Sequence, residues 1–466
     1  MNITFYGAAR NVTGSKHLIE TASGKKILLD CGFFQNRGKD NDRLNRSFNF
    51  DPQQIDLMIL SHAHIDHSGN IPNLVKQGFS KTIFTTQATI DLCEVMLADS
   101  AYIQSGDIEY VNRRRKRNGQ STLEAIYEIE DVEKAMKLFA PVSVNKRFHY
   151  DDEIAFEFTD AGHILGSVSV HVYITEKGIT KQITFSGDVG RFNDLILKAP
   201  APFSQADYIL CESTYGNKLH DQSTDARQKL LQIVNKTCVD QKGKLIIPAF
   251  SLGRTQEIIY TLDRFKTENK LPSIPVFVDS PLAIDATNIM RKHSEFFNAD
   301  LVNYLHYDDD PFGFSNLKYV RKVEESKKIN DLKGPCIIIS ASGMIEAGRI
   351  KHHIKNNIND SRNTILIVGY CTPESIGGHL MRGDKIIKIF GNEYPVKANV
   401  EVISSFSAHA DYLELIKYLS CQDISAVKKL FLVHGEYEVQ KEFKDKLIEA
   451  GFKNVEIPEE LQSFKL

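Results

Sequence analysis

Ser61-His62-Ala63-His64-Ile65-Asp66-His67-Ser68-Gly69 sets three imidazoles and one carboxylate within six residues, directly after the apolar run Ile55-Asp56-Leu57-Met58-Ile59-Leu60. The run is short and mostly aliphatic, so it predicts a buried strand, with the polar cluster where strand gives way to loop. Neutral imidazole nitrogens and a carboxylate oxygen are the ligands that zinc takes at catalytic sites. Packed together without a cation, four such groups would be poorly solvated polar atoms competing for partners. A polar turn with coincidental histidines is the bland alternative. The spacing favours a metal.

Outward from this stretch, the chain of 466 residues is long enough for two or three domains. Its hydrophobic fraction of 42% and charged fraction of 25% are those of a globular protein with an ample core. A net charge of −3 gives no bulk attraction for nucleic acid, so any such binding must be local. The seven cysteines stand singly, mostly in or after apolar runs, and no CxxC pair occurs. Buried, reduced thiols and a cytoplasmic location are therefore expected. The N-terminus alternates like a strand instead of showing a signal peptide. No apolar run approaches the roughly 18 residues of a membrane helix, so no membrane partner is expected.

From residue 2 to about 212 the pattern is mostly strands, among them Lys25–Asp30, Ile154–Thr159, Ser167–Ile174 and Gln182–Ser186. Residues 89–105 and 121–138 carry helical spacing. Between them lies Arg113-Arg114-Arg115-Lys116-Arg117, which reads first as a solvated loop and second as an RNA contact. After residue 212 strands and helices alternate. Lys244–Pro248 precedes a helix over 255–265, Val276–Asp279 one from about Leu282, and Pro335–Ile339 one over 345–356. That alternation predicts a parallel sheet with crossover helices. Thr364–Val368, Val400–Ser404 and Leu430–Val433 add strands, and residues 410–420 and 437–450 add helices.

Three further stretches read like the opening one, a strand stopping at a ligand-type residue among small ones: Asp160-Ala161-Gly162-His163, Phe185-Ser186-Gly187-Asp188 and Leu432-Val433-His434-Gly435. Singly, each is more simply a structural residue at a strand end. Together they supply what one zinc, or a pair bridged by a carboxylate such as Asp188, would need.

His62-x-His64-x-Asp66-His67, followed by His163, Asp188 and a late His, resembles the metallo-β-lactamase superfamily. The resemblance implies an αββα sandwich holding two Zn2+ ions, with Mn2+ as an alternative occupant. One ion would take His62, His64, His163 and Asp188; the other would take Asp66, His67, Asp188 and His434. Asp30, after Ile27-Leu28-Leu29, matches a carboxylate that supports the metal site. Cys211-Glu212-Ser213-Thr214, Phe406-Ser407-Ala408-His409 and Val433-His434-Gly435-Glu436 resemble the additional motifs of the β-CASP branch of nucleases.

The implied fold class is α/β: the sandwich with an inserted α/β domain of parallel sheet and helices. The implied limits are 1–212 and 395–466 for the metal domain and 213–394 for the insertion. The implied activity is hydrolysis of single-stranded RNA, mainly endonucleolytic with 5′–3′ exonuclease action left open. His409 would act as proton donor, Glu212 would orient it, and Asp66 would serve both metal and catalysis. A homodimer is left open.

Ser251, Ser342 and Ser407 each lie in a small-residue loop between strand and helix, where backbone N–H groups can face a phosphate. Arg254 and Arg349 are the nearby charges, and simple helix capping by these serines is an equal reading. Two other classes remain to be weighed. A small-molecule hydrolase acting on a lactone or thioester would share the sandwich but needs no insertion of about 180 residues. A non-catalytic RNA-binding subunit would be expected to have lost ligands, and all seven positions are occupied here.

Overall fold

The computed structural model describes residues 1–466 apart from 36, 37, 221, 222, 370 and 404–407. The described chain divides into two compact units, Met1–Leu219 with His409–Leu466, and His220–Ala408.

The first unit is built on two seven-stranded sheets. One runs in the order Ser463–Lys465, Asn2–Gly7, Lys16–Glu20, Lys26–Leu29, Leu57–Ile59, Ile83–Thr85 and Phe139–Pro141. The other runs Val455–Glu456, Lys429–Val433, Tyr208–Glu212, Ile179–Phe185, Val168–Glu176, Ile154–Asp160 and Phe148–His149. Alternation along each strand divides its side chains between two faces. Ile27, Leu29, Leu57 and Ile59 of the first sheet meet Phe156, Phe158, Val170 and Val172 of the second in one core. Ile209, Cys211, Leu430 and Leu432 point the other way, onto the helices Tyr412–Leu419 and Tyr437–Glu449.

Strands Lys26–Leu29, Leu57–Ile59 and Ile83–Thr85 are parallel, as are Ile179–Phe185, Tyr208–Glu212 and Lys429–Val433. Their carboxyl ends therefore lie at one edge of each sheet. Asp30, His62, Asp188, Glu212 and His434 all fall at those ends. His163 joins them because Ile154–Asp160, antiparallel to Val168–Glu176, runs with Ile179–Phe185.

The second unit carries a six-stranded, all-parallel sheet in the order Leu317–Tyr319, Val276–Val278, Cys336–Ser340, Lys244–Pro248, Thr364–Ile367 and Asn399–Val402. A hairpin of Ile386–Ile389 and Asn392–Pro395 stands apart from it. Asn399–Val402 hydrogen-bonds to Thr364–Ile367, so this stretch belongs to the parallel sheet and not, as the limit at 395 implies, to the returning part of the metal domain. The central strands are buried on both faces, which is why they read as unbroken aliphatic runs.

Two local expectations change. The helix expected over 89–105 spans Gln87–Arg117, so the basic run is the helix's last turn and not a loop. The helix expected over 121–138 is confined to Ile129–Met136. All seven cysteines are free, and only Cys421 is exposed. No described helix is long and apolar enough to cross a membrane.

Candidate metal centre

The stretch 61–69 leaves its strand at Ser61, and a short helix, Ile65–Ser68, turns the side chains of 62–67 back towards the sheet edge. Backbone bonds hold it against the loop after Asp30: Cys31 N donates to His67 O at 2.8 Å, and Phe33 N to Ile65 O at 2.9 Å. Gly32 is required here, since a Cβ at this position would sit 1.6 Å from Asp66 O. The turns carrying His163 and Asp188 meet as tightly, with a Cβ on Gly190 falling 1.8 Å from Gly162 O.

Asp30 is fully buried beneath the cluster. It accepts from Ser61 N at 2.8 Å, Ser61 Oγ at 2.9 Å, Ser15 Oγ at 3.3 Å and His67 Nδ1 at 2.6 Å. The last bond fixes the His67 tautomer and turns Nε2 towards the site. His62 is set similarly: Nδ1 lies 3.0 Å from Ser61 Oγ, which gives its own proton to Asp30, so Nε2 keeps its lone pair. Ser61 was not singled out in the sequence, although it immediately precedes the first ligand.

Four donor atoms converge in one cluster. His62 Nε2 and His163 Nε2 lie 3.2 and 3.1 Å from His64 Nδ1, and 3.5 and 3.4 Å from Asp188 Oδ2. Tetrahedral ligands at zinc bond lengths of about 2.0–2.1 Å stand about 3.3 Å apart. Asp66, His67 and His434 form a second cluster. His434 Nε2 is 3.4 Å from Asp66 Oδ2, and Asp188 Oδ1 is 3.3 Å from His67 Nε2 and 3.6 Å from His434 Nδ1. The two oxygens of Asp188 thus face different clusters. Among the described residues, His67 Nε2 and Asp188 Oδ1 are buried without a hydrogen-bond partner, which is the state of donor atoms that suit a cation.

Burial holds His62 down to about 3 and His64 to about 4, so both are neutral near pH 7, as ligands must be. Burial also lowers His163, with His409 adding to the effect. Asp188 is held well below the carboxylate range despite burial, by His434, His67 and His62. The donor set fits metal binding.

His434 takes a left-handed backbone (φ 51°), and its N–H donates to Ala8 O at 2.8 Å. Thr214 Oγ1 lies 2.9 Å from its Nδ1, a contact with no signal in the sequence beyond the motif containing it. His409 Nδ1 sits 3.2 Å from both Glu212 oxygens and 3.9 Å from Asp188 Oδ2. Glu212 is fully buried and accepts from Val189 N at 2.5 Å. Burial works against protonation of His409, but Glu212, with Asp188 and Asp66 behind it, raises the imidazole to about 9.

In the second unit, the expected phosphate-facing residues have other engagements. Ser342 Oγ accepts from Glu346 N and Ala347 N in its own loop, and Ser251 Oγ lies 3.2 Å from Ser280 Oγ. Arg254 is buried and paired with Glu257 one turn along its helix. Arg349 reaches Asp279 Oδ1 at 2.6 Å and Arg321 O at 2.6 Å. Asp279 itself is buried and also bonded to His353 and Ser326, so this network reads as structural. Ser407 lies outside the described residues.

Comparison with known proteins agrees with this geometry. Residues 14–83 match the metallo-β-lactamase superfamily, 255–380 the Beta-Casp domain, and 393–458 the Zn-dependent metallo-hydrolase RNA specificity domain. A ribonuclease of Thermus thermophilus is 33% identical over 438 residues, 94% of each chain. An RNase J-like protein of Methanocaldococcus jannaschii is 30% identical, over 93% of this chain and 92% of that one. Cleavage and polyadenylation specificity factor 73 of Drosophila melanogaster is 30% identical, over 94% of this chain and 60% of its own length.

Proposed function

Because the chain belongs to the β-CASP family of the metallo-β-lactamase superfamily, we propose that it is a zinc-dependent ribonuclease hydrolysing phosphodiester bonds within single-stranded RNA. One zinc ion would be held by His62, His64, His163 and Asp188, and a second by Asp66, His67, His434 and the other oxygen of Asp188. When bound, such a pair supplies Lewis acidity, polarising a phosphoryl oxygen and bringing the pKa of water towards neutrality.

The chain's own groups do the rest. Asp30 fixes His67, and through Ser61 it fixes His62, so the imidazoles meet the site in one orientation. Water attacks phosphorus and gives up a proton to solvent, the P–O3′ bond breaks, and the leaving oxygen takes a proton from His409, which solvent then restores. Glu212 keeps that imidazole protonated and aimed. The products are a 5′-phosphate and a 3′-hydroxyl. The observation that carries this reading is the His409–Glu212 pair beside Asp188, because metal binding alone gives His409 no reason to be there.

Purified chain with zinc is expected to cut a circular single-stranded RNA, which only an endonuclease can open, and to leave those ends. Intact RNA across sequences and metals, beside turnover of a lactone or thioester, would overturn the proposal.

A further inference from the structure

Helix Gln87–Arg117 is 31 residues long, but only its first half is built into the unit. Ala88, Leu92, Met96, Leu97 and Ala101 are buried, and from Tyr102 onward no residue of the helix is. About 22 Å of helix therefore projects as an arm. Its inner side is strapped down by the segment that follows. Asn112 Nδ2 donates to Leu123 O, Leu123 N returns a bond to Asn112 Oδ1, both at 2.8 Å, and Arg115 Nε donates to Ser121 O at 2.6 Å. The strap is itself tied at Glu124 O by Arg46 and at Ile126 O by Lys76. The arm is thus a fixed element.

Its outer side combines exposed tyrosines with a run of basic residues. Tyr102 and Tyr110 are 81% and 73% exposed. Tyr110, Arg114 and Arg117 follow at spacings of four and three, and so share one stripe, with Arg113 and Lys116 on the stripe beside it. Arg113 pairs with Glu109 on the surface, whereas Arg114, Lys116 and Arg117 make no ion pair among the described residues. Residues 102–123 hold five basic and two acidic side chains, a local net charge of +3 in a chain whose total is −3. Basic residues in a last turn do complement the helix dipole, but that effect fades within the turn and does not call for exposed tyrosines above it. Rings that offer flat faces, interleaved with unpaired guanidinium groups, are what single-stranded nucleic acid is held by. A membrane surface would instead call for a continuous apolar face.

We infer that the outer face of this arm, Tyr102 and Tyr110 with Arg113, Arg114, Lys116 and Arg117, binds single-stranded RNA by stacking and phosphate contact. The inference rests on the ribonuclease reading and adds a site to it away from the metal ligands. It is tested with full-length chain carrying His409→Ala, so that RNA is not consumed, by the fluorescence anisotropy of a labelled 25-nucleotide single strand. Replacing the four basic residues by Gln, which keeps the helix, is expected to weaken binding at least tenfold at about 0.1 M salt. The slope of log K against log salt should shrink by about 3, at roughly 0.7 for each of the four lost phosphate contacts. Tyr102→Ser with Tyr110→Ser should weaken binding about fivefold or more and leave the slope alone.

Equal affinity and slope in all these chains, with RNA bound and cut normally by the unsubstituted protein, would overturn the arm inference alone. Failure of the unsubstituted protein to bind or cut RNA would overturn the ribonuclease reading. Sedimentation with phosphatidylserine vesicles that RNA does not displace would overturn the inference in favour of a membrane surface.

Discussion

The Nδ1 atom of His409 stands 3.2 Å from both carboxylate oxygens of Glu212, although 196 residues separate them in sequence. Glu212 is fixed from behind by the Val189 N–H, so it cannot swing away from the imidazole without losing that bond. His409→Ala is expected to lower RNA cleavage by about 10²–10⁴-fold with metal content unchanged. Glu212→Gln, which keeps the shape but not the charge, should give a smaller loss of the same kind. Metal analysis beside single-turnover rates checks both. A parallel fall in bound metal would mean that the pair builds the site and does no proton transfer.

Asp188 offers one oxygen to each ligand cluster. Asp188→Ala should therefore reduce bound zinc, measured by plasma emission after dialysis, and lower the melting temperature towards that of chelator-treated protein. Two equivalents retained in the variant would remove Asp188 from the bridging role.

Asp30 accepts four hydrogen bonds while fully buried. Asp30→Ala leaves those donors unsatisfied and should cost about 3–5 kcal/mol in urea unfolding of the metal-free chain. Zinc affinity should fall about 10–100-fold because His67 loses its orientation. Unchanged stability would show that water replaces the carboxylate.

Asp263, in the second unit, gives a pH test that involves none of the metal ligands. Burial lifts its carboxyl to about 7, against a hydrogen bond from Tyr304 that works the other way. The folded chain then binds this proton more tightly than the unfolded chain does. The resulting stability is complete below about pH 4 and is lost as pH rises through about 7. Asp263→Asn, which can still accept from Tyr304, should flatten the pH dependence and raise the melting temperature by about 3 °C at pH 8. Identical melting profiles from pH 5 to 8 would contradict the raised value.

The metal cluster was legible because its ligands sit at strand ends, where a short aliphatic run stops at His or Asp among small residues. The two sheets were legible as strands but not as strand order, which depends on returns such as Ser463–Lys465 pairing with Asn2–Gly7. The arm was misread because apolar spacing ends near residue 105, while Arg and Lys are good helix formers and the Asn112–Leu123 bonds hold the remainder. Arg349 looked like a free charge because its partner Asp279, buried 70 residues earlier, is invisible without the fold. Glu257, three residues after Arg254 on its helix, was by contrast in plain sequence view. His17 gave no signal at all. It lies wholly buried against Phe5 and Phe185, with neither ring nitrogen bonded among the described residues and burial pushing it down to about 3.

The wide spread of the strand-end residues has a consequence for a chain still on the ribosome. By the time residue 212 has emerged, every donor of the His62, His64, His163 and Asp188 cluster has been made. His409 and His434 follow only after nearly two hundred more residues, and Lys429–Val433 must then pair beside Tyr208–Glu212. A nascent or prematurely released chain of this length thus carries every donor of one cluster while lacking both His409 and His434.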